Sequence, residues 1–240
     1  MPKTPVPALT YSRATHQNFE ETIVFTHHFG GSHATTKRHQ DFVNDLGFDC
    51  VSFDLNCAKI PVYKTFFQVW REEIHGVLNA VPGNKIIFSF SSPSAASLAT
   101  IIDGNRKDVR AWITDGGPFF DTFNCLENFY RFITPVAPWK LELMTAAAFV
   151  KIGGIGYKSR VRRQFESWPA DIPILSIRTG NDRLVPIPAI DKFFAAGQNL
   201  PLQTFEITEA QHLEGLKNFP DLYKHAVKEF LLKHARAIYA

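Results

Sequence analysis

Lys85-Ile86-Ile87-Phe88-Ser89-Phe90-Ser91-Ser92-Pro93-Ser94-Ala95-Ala96-Ser97-Leu98 changes character halfway along. Residues 85–90 form a short, β-rich, almost continuously apolar run, the pattern of a strand covered on both faces. From Pro93 onward the residues suit a helix, and a proline is harmless in a first turn because its missing N–H has no intrahelical partner there. A strand that runs straight into a helix forces the serine at the corner outward, its hydroxyl at the carboxyl edge of a sheet. The corner is cramped, so the positions two before and two after that serine must be small. Centred on Ser91 they are Ser89 and Pro93; centred on Ser92 they are Phe90 and Ser94, and phenylalanine does not fit the slot. Ser91 is therefore the candidate nucleophile. The same segment also reads as a serine-rich helix cap, and the corner alone does not separate the two.

Similar strand-like runs lie on either side: Thr22–Thr26, Cys50–Phe53, Ala111–Thr114, Ile174–Ile177 and Gln203–Ile207. Helical patterns fall between them, at about 35–46, 64–80, 93–103, 188–197 and 219–236. In the last, Leu222, Ala226, Val227, Phe230 and Leu231 form one apolar stripe, with Pro220 near the first turn. Strand–helix alternation of this kind predicts an α/β fold with a mostly parallel central sheet and helices on both faces. It breaks between about 116 and 168. That stretch is rich in aromatics (Phe119, Phe120, Phe123, Phe129, Tyr130, Phe132, Trp139), then carries an apolar run from Leu141 to Val150 and a flexible Gly153-Gly154-Ile155-Gly156. It reads as a small helical cap inserted over one end of the sheet, so that residues 1–115 and 169–240 form the core. The aromatics suit either an apolar pocket or simple packing of the insertion onto the body.

Two later loops complete a chemical pattern. The run Ile174–Ile177 leads through Arg178-Thr179 into the turn Gly180-Asn181-Asp182, and the run Gln203–Ile207 is followed by Thr208-Glu209-Ala210-Gln211-His212. Each is ordinary turn or loop chemistry by itself. Their order adds the information: serine, aspartate and histidine each follow a strand of one parallel sheet, which places all three at one edge. His212 would then take the Ser91 proton, while Asp182 fixes its tautomer. Stabilising the resulting oxyanion takes two backbone N–H donors. Ser92, at a helix amino terminus, offers one, and the turn His27-His28-Phe29-Gly30-Gly31-Ser32 offers the other.

Composition narrows the field. The 240 residues are 45% hydrophobic and 20% charged, normal for one globular unit with a sizeable core. A net charge of +3 gives no argument for nucleic acid. Lys158, Arg160, Arg162 and Arg163 cluster, as a solvated face or an anion-binding patch. Cys50, Cys57 and Cys125 form no C-x-x-C pair, which favours a reducing compartment. His27, His28, His33 and His39 lack the spaced carboxylates or cysteines of a metal site, so no metal or organic cofactor is expected. The first residues have no apolar core of a signal peptide, and no stretch is long enough to span a membrane, so the expected location is the cytoplasm.

From about Thr22 to Leu232 the chain resembles the α/β-hydrolase superfamily, particularly its small esterase-like and lipase-like members with a helical cap. Four segments carry the likeness: Thr22–Ser32, Ile86–Ala96, Pro173–Pro186 and Glu209–Gly215. The resemblance implies Ser91 as nucleophile, Asp182 as acid and His212 as base, with the amides of Phe29 and Ser92 as oxyanion donors. It also implies that segment 116–168 selects a small-molecule, apolar acyl substrate. Three positions depart from the family pattern: His28 stands where a His-Gly pair has glycine, and Ser89 and Pro93 replace the two glycines of Gly-x-Ser-x-Gly. Asp115, at the end of strand 111–114, is an alternative acid. The expected activity is hydrolysis of a carboxylic ester through an acyl-serine. Hydrolysis of thioester, amide or carbon–carbon bonds by the same triad, or a small-molecule binding protein with an inactive triad, are the alternatives. Dehalogenase and epoxide-hydrolase chemistry is disfavoured, because those branches use aspartate where Ser91 stands.

Overall fold

In the computed structural model, the described residues are 5–238 apart from positions 59 and 198. Seven strands form one sheet: β1 (Thr10–Ser12), β2 (Thr22–Thr26), β3 (Cys50–Phe53), β4 (Lys85–Phe90), β5 (Val109–Asp115), β6 (Ile174–Thr179) and β7 (Leu202–Ile207). Their order is β1-β3-β2-β4-β5-β6-β7, with all neighbours parallel except the antiparallel β1–β3 pair. The six parallel strands are those read from the sequence, with β5 two residues longer at its start and one at its end, β6 two longer at its end and β7 one longer at its start. The edge strand β1 was not expected.

Alternating side chains of the central strands feed two cores, one on each face of the sheet. Val24, Val51, Ile87, Trp112 and Ile174 pack with α2 (Phe66–Ala80), α3 (Ser94–Asp103), α6 (Tyr157–Phe165) and α7 (Ile187–Phe194). Ile23, Phe25, Ile86, Phe88, Ile113 and Leu175 pack on the other face with α1 (Lys37–Asp45) and α9 (Pro220–His234). This is why the strands read as continuous apolar runs rather than as an in–out alternation. Local sequence sets the helix ends. The Thr65 hydroxyl accepts from the Gln68 amide while the Gln68 side chain accepts from the Thr65 amide, a reciprocal box that starts α2. Prolines open α5 (Pro138–Ile152) and α9.

From β2 the chain moves to β3 on one side, then crosses to β4 on the other and continues outward through β7. The crevice beyond the carboxyl ends of β2 and β4 is thus the point where connections diverge, the usual position of a ligand site in such sheets. Segment 116–168 lies between β5 and β6 as α4 (Thr122–Asn128), a wide helical turn at Phe129–Ile133, α5 and α6. One further helix, α8 (Gly215–Asn218), precedes α9. The expected packing role of the aromatics holds for Phe119 and Phe120, which are buried, but Phe132 and Trp139 are exposed.

Candidate active site

Ser91 follows β4 directly and has φ +55°, a left-handed conformation that a residue with a β-carbon adopts at a cost of about 1 kcal/mol. Its amide donates to the Asp115 carbonyl at 2.8 Å and its own carbonyl accepts from Ser94 at 3.1 Å, so the corner is tied to β5 on one side and to α3 on the other. Ser89, where a glycine is usual, is buried with its hydroxyl accepting from the Trp112 indole at 2.8 Å. Pro93 has an ordinary helical conformation at the start of α3. The room the corner needs comes from elsewhere: a β-carbon on Gly117 would stand 2.5 Å from the Ser91 carbonyl oxygen, and one on Gly116 would stand 2.8 Å from His212 Cε1. Asp115-Gly116-Gly117 lets the loop after β5 press against Ser91, a requirement that the sequence pattern around Ser91 does not show.

Ser91, His212 and Asp182 are brought into one row. His212 Nε2 lies 3.0 Å from Ser91 Oγ, and His212 Nδ1 lies 2.6 Å from Asp182 Oδ2. Asp182 Oδ1 accepts from the amides of Leu184 and Val185, each at 2.8 Å, which locks the carboxylate plane. The carboxylate therefore accepts a hydrogen bond from Nδ1–H, which keeps the proton on Nδ1 and leaves Nε2 as an acceptor toward the serine hydroxyl. The two loops are fastened together by backbone bonds from Gly180 to Ile207 (3.0 Å) and from Asn181 to Ala210 (3.1 Å). Gly180 is required there, since a β-carbon would stand 2.5 Å from the Thr208 carbonyl oxygen.

Asp115 takes a different part. Its Oδ2 accepts from the buried Tyr223 hydroxyl at 2.8 Å, and its Oδ1 has no partner among the described residues. Burial pushes its carboxyl up to about 6. Tyr223 also meets His39 Nε2 at 3.2 Å. His39 is enclosed by Phe88, Phe90 and Tyr223, and burial pushes its imidazole down to about 3.

The loop after β2 is held by His27, whose Nε2 accepts from the Leu55 amide at 2.8 Å while Nδ1 donates to the His28 carbonyl at 2.7 Å. Phe29 and Ser92 line the same cavity as Ser91 and His212, and their amides have no hydrogen-bond partner among the described residues. That cavity measures about 470 Å³, and its walls are mostly apolar: Phe119, Leu126, Phe129, Ile133, Ile152 and Leu184. Most of these come from segment 116–168; Phe119 and Phe129 were among its aromatics, whereas Leu126, Ile133 and Ile152 had no individual signal in the sequence. Its polar exceptions include His28, in the position where the family pattern has glycine. Burial, reinforced by the neighbouring His27 and His212, pushes His28 down to about 4, so it is a neutral imidazole near pH 7. Its ring packs where a β-carbon on residue 31 would be, within 2.9 Å, which explains a second glycine after Gly30. His33 pairs with Asp54 at 3.0 Å, so the four clustered histidines face four different surroundings.

No family model matches the sequence. No curated protein is similar to it in sequence. Solved structures are similar in fold. An esterase of Pyrococcus furiosus superposes with a TM-score of 0.69 at 14% identity, over 95% of this chain and 92% of the esterase. A monoacylglycerol lipase of Paleococcus ferrophilus gives 0.66 at 12% identity, over 95% and 99%. An esterase of Thermogutta terrifontis gives 0.64 at 15%, over 94% and 93%. At such identities the likeness concerns the architecture of the chain.

Proposed function

We propose that this chain, which has the α/β-hydrolase fold, is a serine hydrolase that cleaves carboxylic esters of small or medium apolar acids. The row Ser91–His212–Asp182 carries the proposal, with its 3.0 Å and 2.6 Å contacts at the floor of an apolar cavity. Esterases and a lipase among the similar structures support the same reading.

In the proposed reaction Ser91 Oγ attacks the ester carbonyl carbon as His212 Nε2 removes its proton. The carbonyl π-electrons move onto oxygen, and the Phe29 and Ser92 amides hold the resulting oxyanion. Collapse breaks the bond to the alcohol oxygen, which leaves with the proton from His212. Water then attacks the acyl-serine by the same route, releasing the acid and restoring Ser91. The catalytic parts come from the core, residues 1–115 and 169–240, and segment 116–168 acts as the cap that walls the acyl site. Nothing in this sequence of steps calls for a metal or cofactor.

Fluorophosphonate labelling together with a panel of p-nitrophenyl esters tests the proposal. The expected result is stoichiometric labelling at Ser91, and loss of both labelling and hydrolysis in Ser91→Ala. Absence of labelling in folded protein would favour a binding protein built on this fold.

A further inference from the structure

Large apolar side chains scattered singly over a surface need no explanation, whereas a contiguous group does. Here the group is concentrated. Trp139 (76% exposed), Leu143 (69%) and Val150 lie on α5, and Ile155 (93%) follows it. On α5, Trp139, Leu143, Ala146 and Val150 recur at helical spacing and are all exposed, so the outward stripe of the helix is apolar. The loop carrying Val62 (92% exposed) and Tyr63 joins its far end, because Lys151 Nζ donates to the Val62 carbonyl at 3.3 Å. Ile133, which lines the cavity above Ser91, is itself largely exposed, so the patch reaches the mouth of the site.

The charge around this patch leans positive, with Glu142 the one exposed carboxylate on α5. Segment 116–168 holds seven Lys and Arg against four Asp and Glu, which leaves nineteen of each for the rest of the chain. The whole net charge of +3 therefore resides on the insertion. Lys140 stacks over the Trp139 ring at 4.8 Å, Lys151 adjoins Val150, and Lys158 is exposed shortly after Ile155. A tryptophan with an apolar body and a polar N–H, beside Lys140 and with Lys151 at the other end of the stripe, suits the boundary between hydrocarbon and charged headgroups. A second copy of the chain is a poorer occupant, because a two-fold contact through this face would set its cations against one another. No described helix is long and apolar enough to cross a membrane, and α5 has only fifteen residues, so the geometry is that of a helix lying on a surface.

We infer that the outward face of α5, with the Val62–Tyr63 loop, docks the protein on an anionic lipid surface and so presents the cavity mouth to acyl esters held there. Its second half rests on the hydrolase reading, while the docking itself does not.

The experiment mixes the purified full-length protein with phosphatidylcholine vesicles, with and without phosphatidylglycerol. It reads co-sedimentation, acrylamide quenching of tryptophan, and hydrolysis of soluble p-nitrophenyl butyrate. Trp70, Trp112 and Trp168 are buried, so quenchable emission comes chiefly from Trp139. Binding to the phosphatidylglycerol vesicles is expected, weakened by salt and accompanied by shielding of Trp139. Trp139→Ser/Leu143→Ser should weaken partitioning on the order of tenfold or more, with soluble-ester hydrolysis and the melting temperature unchanged. Vesicle binding that the double substitution leaves intact, or no binding at all, overturns the proposal. So does a concentration-dependent dimer that shields Trp139 and is abolished by the same substitutions. Vesicle binding without esterase activity would sustain the docking surface and sink the hydrolase reading instead.

Discussion

Replacing Asp182 with asparagine exchanges one oxygen for an amide nitrogen, and the geometry of the loop dictates which. Oδ1 receives the Leu184 and Val185 amides at 2.8 Å each, so the asparagine oxygen must stay there; an NH2 group in that place would face two donors. The NH2 then points at His212 Nδ1, where Oδ2 stood at 2.6 Å. To avoid a donor–donor contact the imidazole must carry its proton on Nε2, turned toward Ser91 at 3.0 Å. Ser91 is left without a base. The same exchange in a trypsin-type triad lowers kcat by about 10⁴, which corresponds to ~5 kcal/mol of barrier. The volume and backbone bonds are preserved, so the melting temperature should be unchanged. The assay is kcat on p-nitrophenyl butyrate beside the rate of fluorophosphonate labelling, with Asp115→Asn as the companion. That variant keeps an oxygen for the Tyr223 hydroxyl and is expected to retain near wild-type kcat. Retention of more than about a tenth of wild-type kcat in Asp182→Asn, or an equal loss in Asp115→Asn, would refute the assignment of Asp182 as the group that orients His212.

Two further outcomes follow from other parts of the molecule. Gly116→Ala places a β-carbon 2.8 Å from His212 Cε1 and 3.1 Å from Nδ1, at a backbone φ of +64°; kcat should fall on the order of 10²-fold, with a loss of about 1 kcal/mol in denaturant unfolding, and unchanged kcat would show that the loop yields instead. Glu73 is buried, accepts from the Asn56 amide at 3.0 Å, and is pushed by burial up to about 7. A raised carboxyl pKa means the folded protein holds the proton more tightly, so stability is full below the ordinary value of 4.5 and is lost as pH rises through 7. Glu73→Gln should therefore match the wild type near pH 4 and exceed it by about 2 kcal/mol near pH 8, measured by urea unfolding; a gain independent of pH would contradict the stated cause.

The parallel sheet was legible because β2 to β6, buried almost throughout, are rich in apolar residues, whereas the edge strand β7 showed itself by its β-prone residues, with Gln203, Thr204 and Glu206 exposed. β1 was not, since three residues at an antiparallel edge, with Tyr11 exposed, carry no such pattern. Ser91 over Ser92 was decided by the bulk of Phe90, and the structure puts Ser91 beside His212. Which carboxylate meets His212 was open between Asp182 and Asp115; the hydrogen bond runs to Asp182, while Asp115 is occupied by Tyr223 from α9. Tyr223 lies far along the chain, so that pairing leaves no local trace. The aromatics of segment 116–168 were the most ambiguous. Phe119 and Trp139 look alike in sequence, yet one is buried and lines the cavity while the other faces outward.

The pressure of Gly117 on the Ser91 carbonyl bears on how this corner varies. In the usual pattern the space around the nucleophile is carried by its own neighbours, so a short window of sequence is enough to find it. Here the space belongs to the loop after β5, and positions 89 and 93 are released to carry a hydroxyl that receives the Trp112 indole and a proline that begins α3. The Ser91 corner thus leans on a glycine far from it in sequence. The close approach of Gly117 to the Ser91 carbonyl is invisible to any motif written around the serine alone.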